Sequence, residues 1–221
     1  MTTPSRRALP ARAARRGLIL AALALAGCAS LLPKPGPAPT LFALDETAAA
    51  LAPSAARPTA AARLTLVVAP PRAAAGFDTA RIVYMRQAHE LQAFAYHQWV
   101  DTPAQMLAPL IVTSVERSGA FRVVLAAPTT AATDLRLDTE LVRLQHEFVT
   151  TPSRVRLTLR AVLVETATRR VVAAREFEAT AASPSEDPYG GVIAANRAAA
   201  TVLAELAAFC AEAAAGLPAV R

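Results

Sequence analysis

The residues of this chain that could do chemistry begin with Leu25-Ala26-Gly27-Cys28. A thiol that follows small residues at the end of a short apolar run is the pattern of a cysteine that receives lipid. Arg6, Arg7, Arg12, Arg15 and Arg16 precede the run, with no acid among them. The run from Leu18 to Ala26 holds nine residues, whereas a membrane-spanning helix needs roughly 20. Residues 1–27 therefore read as a lipoprotein signal peptide, cut between Gly27 and Cys28. Cys28 becomes the lipid attachment point, and the remaining chain is tethered to a membrane outside the cytoplasm. Arg15-Arg16 leaves twin-arginine export open beside the general route. Ala29 stands where an aspartate would mark inner-membrane retention, which favours the outer membrane.

Other chemistry is sparse. The chain carries three histidines, His89, His97 and His146. The His89 to His97 spacing matches no standard metal-ligand pattern, so structural histidines are the expectation. There is no nucleophile elbow, no glycine-rich phosphate loop and no Cys-x-x-Cys. Glu186-Asp187 fits a solvated helix start. With Cys28 lipidated, Cys210 has no partner for a disulfide and reads as a small buried apolar residue. No catalytic residue, metal or cofactor is expected beyond the covalent lipid on Cys28.

The formal net charge of +6 belongs largely to the signal. Five of the 23 basic residues leave with it, and the 18 that remain face 17 acids. This near-balance removes the main support for nucleic-acid binding.

Aromatic residues are the more informative group. Tyr84, Phe94, Tyr96 and Trp99 fall close together in a chain whose aromatic fraction is 5%. With Arg86 they form a candidate partner-binding set, because tyrosine and tryptophan bury large areas while keeping a polar handle. The simpler reading is that the same residues build a core between two strands and a helix.

The elements that must position these groups follow from periodicity. Residues 28–62 read as a linker in which Pro33, Pro35, Pro37 and Pro39 favour extended geometry. A dozen such residues at about 3.1 Å each reach roughly 35 Å. Leu41-Phe42-Ala43-Leu44 could add a strand. The body is read as residues 63–217. Strands are expected at Leu64–Val68, Ile82–Met85, Leu91–Tyr96 and Phe121–Leu125. Thr102-Pro103 opens a helix, with Gln105 placed for a capping box and Pro109 for a kink. Met106, Leu107, Leu110, Ile111 and Val115 form its apolar stripe, and Gly119 ends it.

Leu135 and Leu137 alternate with polar residues, and then Leu144, His146 and Phe148 continue on the other parity. This predicts a β-bulge near Leu141. A strand from Val155 to Leu163 follows, with Arg154, Arg156 and Arg160 on its solvent face or in contact with anionic lipid or an acidic partner. Val171–Ala179 makes a third strand. Asp187-Pro188 starts a long helix from about Tyr189 to Ala215. The expected fold is α+β: an antiparallel β-sheet with one solvated face, packed by about two main helices, in a single domain after the lipidated tether.

Gly76 to Tyr84, Leu91 to Tyr96 and Trp99-Val100-Asp101-Thr102-Pro103 together resemble the ABC-type transport auxiliary lipoprotein family, the PqiC-like lipoproteins. Leu41 to Leu44, Leu66 to Pro71, Ser185 to Gly191 and the alanine-rich last helix extend the resemblance over nearly the whole mature chain. The resemblance implies a non-enzymatic lipoprotein on the periplasmic face of the outer membrane. Its implied partners are an MCE-domain periplasmic protein and an ABC permease that move lipids or other hydrophobic compounds across the envelope. A homo-oligomer is compatible with it. The rivals are a stand-alone periplasmic lipid-binding carrier, a hydrolase using His89, Glu90 or His97, and a purely structural envelope lipoprotein.

Overall fold

The structure is a computed structural model that describes residues 36–45 and 63–217. Gly27, Cys28, the signal segment and most of the 28–62 linker lie outside the described residues. Among the described residues nine strands and two helices follow in chain order: β1 (Thr40–Phe42), β2 (Thr65–Val68), β3 (Arg72–Ala73), β4 (Arg81–Met85), β5 (Leu91–Trp99), α1 (Pro103–Arg117), β6 (Val123–Ala126), β7 (Leu135–Glu147), β8 (Arg154–Glu165), β9 (Val171–Ala182) and α2 (Pro188–Ala215). The body begins earlier than residue 63, because β1 pairs with β5 and Leu44 enters the core.

β7 organises the sheet. One edge pairs antiparallel with β8 along its whole length, and β8 pairs with β9 in the same way. The predicted bulge is present, as a register shift between Leu141 and Arg143. The other edge departs from the antiparallel expectation. β2, β3 and β4 line up along it in turn, all parallel to β7, at Leu66↔Leu135, Arg72↔Glu140 and Tyr84↔His146. Pro70-Pro71 and then residues 74–80 interrupt the ladder without reversing the chain, so these three pieces act as one broken strand. β6 pairs parallel with β2, and β5 pairs antiparallel with β4. The sheet is therefore mixed. All four residues of β2 are buried, as suits a parallel strand covered on both faces.

Both helices pack on β7, β8 or β9 and on each other. Pro188 occupies the first turn of α2, and the Asp187 carboxylate accepts the Gly190 N–H at 2.7 Å, so the anticipated cap forms. Val202, Leu203, Leu206 and Phe209 on α2 are buried, each stabilising the fold by about 1.5–3 kcal/mol. Ala194, Ala195, Ala198 and Ala199 are buried beside them and let the helix approach the sheet closely. By length and composition α2 could cross a membrane, but its apolar residues are spent on the core. On α1, Thr102 sits at the N-cap with no side-chain cap bond, so no capping box forms there. Pro109 is exposed and the helix continues through it. Its missing N–H falls on the solvent face, away from the core contacts of the helix.

The outer face of β7, β8 and β9 carries a ladder of ion pairs. Arg160 reaches Glu140 at 3.2 Å and Glu176 at 2.9 Å. Arg156 reaches Glu178 and, at 2.8 Å, the buried Glu147. These arginines therefore meet acids of their own sheet. Burial pushes the Glu147 carboxyl up, but hydrogen bonds from Arg156 and Gln145 outweigh it and hold the group below the usual carboxylate range. Removing one partner of a buried pair costs about 3–5 kcal/mol. Arg156 is partly exposed, so Arg156→Ala is expected at the lower end of that range, read from urea midpoints at pH 7. Arg156→Ala combined with Glu147→Leu should recover much of the loss, because no uncompensated carboxylate remains.

A candidate docking surface

The aromatic residues singled out from the sequence divide into three groups. Tyr84, Arg86 and Phe94 come together. Tyr84 on β4 and Phe94 on β5 have ring centroids 4.4 Å apart. Phe148, just beyond β7, donates its N–H to the Met85 carbonyl at 2.8 Å and brings its ring edge-on to Tyr84 at 6.0 Å. The Arg86 guanidinium lies 5.6 Å from the Tyr84 centroid and 5.8 Å from that of Phe148, within cation–π range of both. Arg86 itself is exposed while Tyr84, Phe94 and Phe148 are half-buried.

The band continues along one side of the sheet. The register of β4 and β5 jumps from Arg81↔Gln98 to Val83↔Ala93, which breaks the alternation across residues 94–97. Phe94 and His97 consequently meet at 6.0 Å. His97 stacks on Phe42 of β1, and Phe42 meets Tyr189 in the first turn of α2. The result is a semi-exposed aromatic band from Tyr189 to Arg86, flanked by exposed Leu91.

Tyr96 is exposed and makes none of these ring contacts. Trp99 is a correction to the partner-binding set. It is only 4% exposed and lies in the core with Ile82 and Ala195. Its backbone is pinned on both sides, by Phe42 across the β1 pairing and by its N–H to the Ala80 carbonyl at 2.7 Å, which turns the indole inward. Phe148, Phe42 and Tyr189 are members that sequence reasoning missed. The parity shared by His146 and Phe148 after the bulge was the signal that could have found Phe148.

The histidine and acid candidates are placed too. Glu90 accepts hydrogen bonds from Gln92 and Gln87, which hold its carboxyl below the usual range. His97 is held between aromatic rings. Among the described residues no three His, Cys, Asp or Glu side chains converge as metal ligands would. The Cys210 thiol is buried and pushed up to about 12 by desolvation, which makes it inert.

No curated protein matches the sequence. Protein XCC0632 from Xanthomonas campestris superposes with a TM-score of 0.66 at 24% identity, over 80% of this chain and 94% of that one. An uncharacterized protein of known crystal structure gives a TM-score of 0.60 at 12% identity, over 79% of this chain and 99% of the other. These likenesses establish the fold. Residues 44–207 match the family described as the ABC-type transport auxiliary lipoprotein component. That span starts at the buried Leu44 and runs into the last turns of α2, so it takes in nearly the whole folded body, and the chain belongs to this family of transport auxiliary lipoproteins.

Proposed function

We propose that this lipoprotein is anchored through Cys28 to the periplasmic face of the outer membrane and docks the MCE-domain component of an ABC transport system that moves lipids or other hydrophobic compounds. The observation that carries the docking role is the Arg86 guanidinium presented over the Tyr84 and Phe148 rings. Arg156 and Arg160 of the outer sheet face are neutralised by glutamates of that face. Arg86 stands on aromatic rings instead, exposed and beside apolar Leu91. Interfaces draw most of their binding energy from such aromatic and arginine anchors.

The lipid-carrier alternative needs internal space. The cavity between sheet and α2, lined by Ile82, Trp99, Leu144, His146, Gly191 and Ala195, measures about 10 Å³, at the threshold for one water. A cleft of about 400 Å³ at Pro70, Arg72, Arg136 and Asp138 is open to solvent and edged by charge. Neither resembles an enclosed acyl site.

The test is affinity capture of the full-length lipidated protein from gently crosslinked membranes. Capture of an MCE-domain protein at near-stoichiometric yield is expected from the unaltered chain. Tyr84→Ala with Arg86→Ala should lower that yield at least tenfold, since one hot-spot residue is worth about 2 kcal/mol or more. Circular dichroism should be unchanged, because Arg86 is exposed and Tyr84 is half-buried outside the core cluster. Equal yield from the double variant would place docking elsewhere, and stoichiometric lipid with no transport protein would favour the carrier.

A further inference from the structure

His146 lies beneath the aromatic band and takes no part in the docking contacts proposed above. Its ring is 2% exposed. One nitrogen, Nε2, is 2.9 Å from the Ser153 hydroxyl, which is itself fully buried. The other, Nδ1, finds no hydrogen-bond partner. It faces the Gly191 backbone so closely that a Cβ on Gly191 would lie 2.4 Å away. On its other side the ring meets Phe148 at 4.0 Å, tilted by 36°. A single buried imidazole thus touches three things: the β7–β8 turn through Ser153, the first turns of α2 through Gly191, and the docking band through Phe148.

From this placement we infer that His146 is a positioning residue that makes the order of the docking band depend on proton concentration. The neutral ring holds Phe148 in place, and the protonated ring leaves its site and releases it. The docking role of the band rests on the function proposed above, whereas the coupling between His146 and Phe148 stands on the packing alone.

The charges around the ring set the direction. The nearest acids are Glu186 and Asp187, in the loop before α2. Asp187 is engaged by Gly190 and Ser185, and Glu186 by the Ser153 N–H. From β7, Glu147 is neighbour in sequence but is bound to Arg156. From β8, Arg154 follows Ser153. β4 contributes Tyr84 opposite His146 and no charge, although Arg86 lies over the Phe148 ring. The first turn of α2 holds no acid, and its N–H groups, that of Gly190 capped by Asp187, present the positive end of the helix. Desolvation pushes the imidazole below its ordinary 6.5, against the pull of Glu186 and Asp187. A group with a depressed folded pKa leaves stability intact above its unfolded pKa. That stability is lost as pH falls through the folded value. Release therefore belongs to acid conditions below about 6.5.

The experiment is an NMR pH titration from 7.5 to 4.5 of the full chain in detergent, with labelled histidine and phenylalanine. His97 touches Phe94 and could report in its own right, so the titration is repeated in His97→Gln. The expected result is a His146 midpoint below the ordinary imidazole value of about 6.5, with Phe148 signals moving at the His146 midpoint in both proteins. His146→Gln, where it folds, should abolish the Phe148 response, and the unaltered chain decides the matter where it does not. Phe148 signals that stay still, or that follow His97 and stop moving in His97→Gln, would overturn the coupling. Neither result depends on a partner, so loss of docking and loss of this coupling are separable.

Discussion

Cys28→Ala is expected to move the protein from the membrane fraction to the soluble fraction of the envelope almost completely. The size of the effect follows from acyl burial. Each buried methylene contributes about 0.8 kcal/mol, one chain gives marginal binding, and two or more hold a protein firmly. Removing the thiol removes all of it at once. The folded body offers one competing anchor, since α2 is long and apolar enough to span a bilayer. Its packing says that it does not. Leu203, Leu206, Cys210 and Ala199 are fully buried against the sheet and α1, and Ser114 of α1 donates its hydroxyl to the Leu203 carbonyl at 3.0 Å. Extracting α2 into lipid would empty the core. Alkaline carbonate extraction separates the two cases. Release of the Cys28→Ala protein identifies the lipid as the anchor, and retention would mean that α2 inserts.

Much of the fold was legible because local physics decided it. Alternation marks β8 and the part of β7 before its bulge, since one face is buried by the helices and the other is solvated. The bulge was legible because Leu141 and Val142 are adjacent and the parity of Leu144 and His146 reverses. Asp187-Pro188 announced α2 because capping and a fixed proline φ act within one turn. What failed to show was non-local. Nothing in the composition of β2 or β4 says that each runs parallel to β7, because strand direction depends on how the chain crosses Pro70-Pro71. The partners of Arg156 and Arg160 were hidden for the same reason. Glu147, Glu140, Glu176 and Glu178 reach them through register.

The site was half legible. Clustering of aromatics marked the β4 and β5 part of the sheet, where Tyr84, Phe94 and Arg86 come together, but alternation inside β5 breaks at residues 94–97. Sequence parity therefore could not say that Phe94 stays half-buried and Trp99 goes fully inward. Phe148, Phe42 and Tyr189 come from three other segments, and only the fold joins them. The segment around Leu41 to Leu44 belongs to the body for a similar reason. Asn196 of α2 donates to the Ala43 carbonyl at 3.2 Å and accepts the Asp45 N–H at 3.0 Å, a clasp between residues about 150 positions apart.

Gly191→Ala is expected to destabilise the protein, although alanine is the better helix former. Two magnitudes oppose one another. Within a helix, glycine to alanine gains about 0.5–1 kcal/mol. Here the new methyl would lie 2.4 Å from His146 Nδ1 and 2.9 Å from Cε1. Overpacking of this kind costs about 1–3 kcal/mol. The ring has little freedom to yield, because Ser153 holds Nε2 and Phe148 lies against its face. The clash should prevail, giving a net loss of roughly 1–2 kcal/mol, which is about 2–8 °C in melting temperature for a body of this size. Gly216→Ala is the internal control. It meets nothing closer than 3.7 Å and its φ of −79° suits any residue, so its melting temperature should stay within about 1 °C of the unaltered chain. The two glycines bracket α2, one just after its start and one just past its end. A loss confined to Gly191 would show that the helix start, and the imidazole lodged against it, set how tightly the aromatic edge of the sheet is held. Equal stability of the two variants would mean that His146 can move aside without cost, and Phe148 would then be free of it as well.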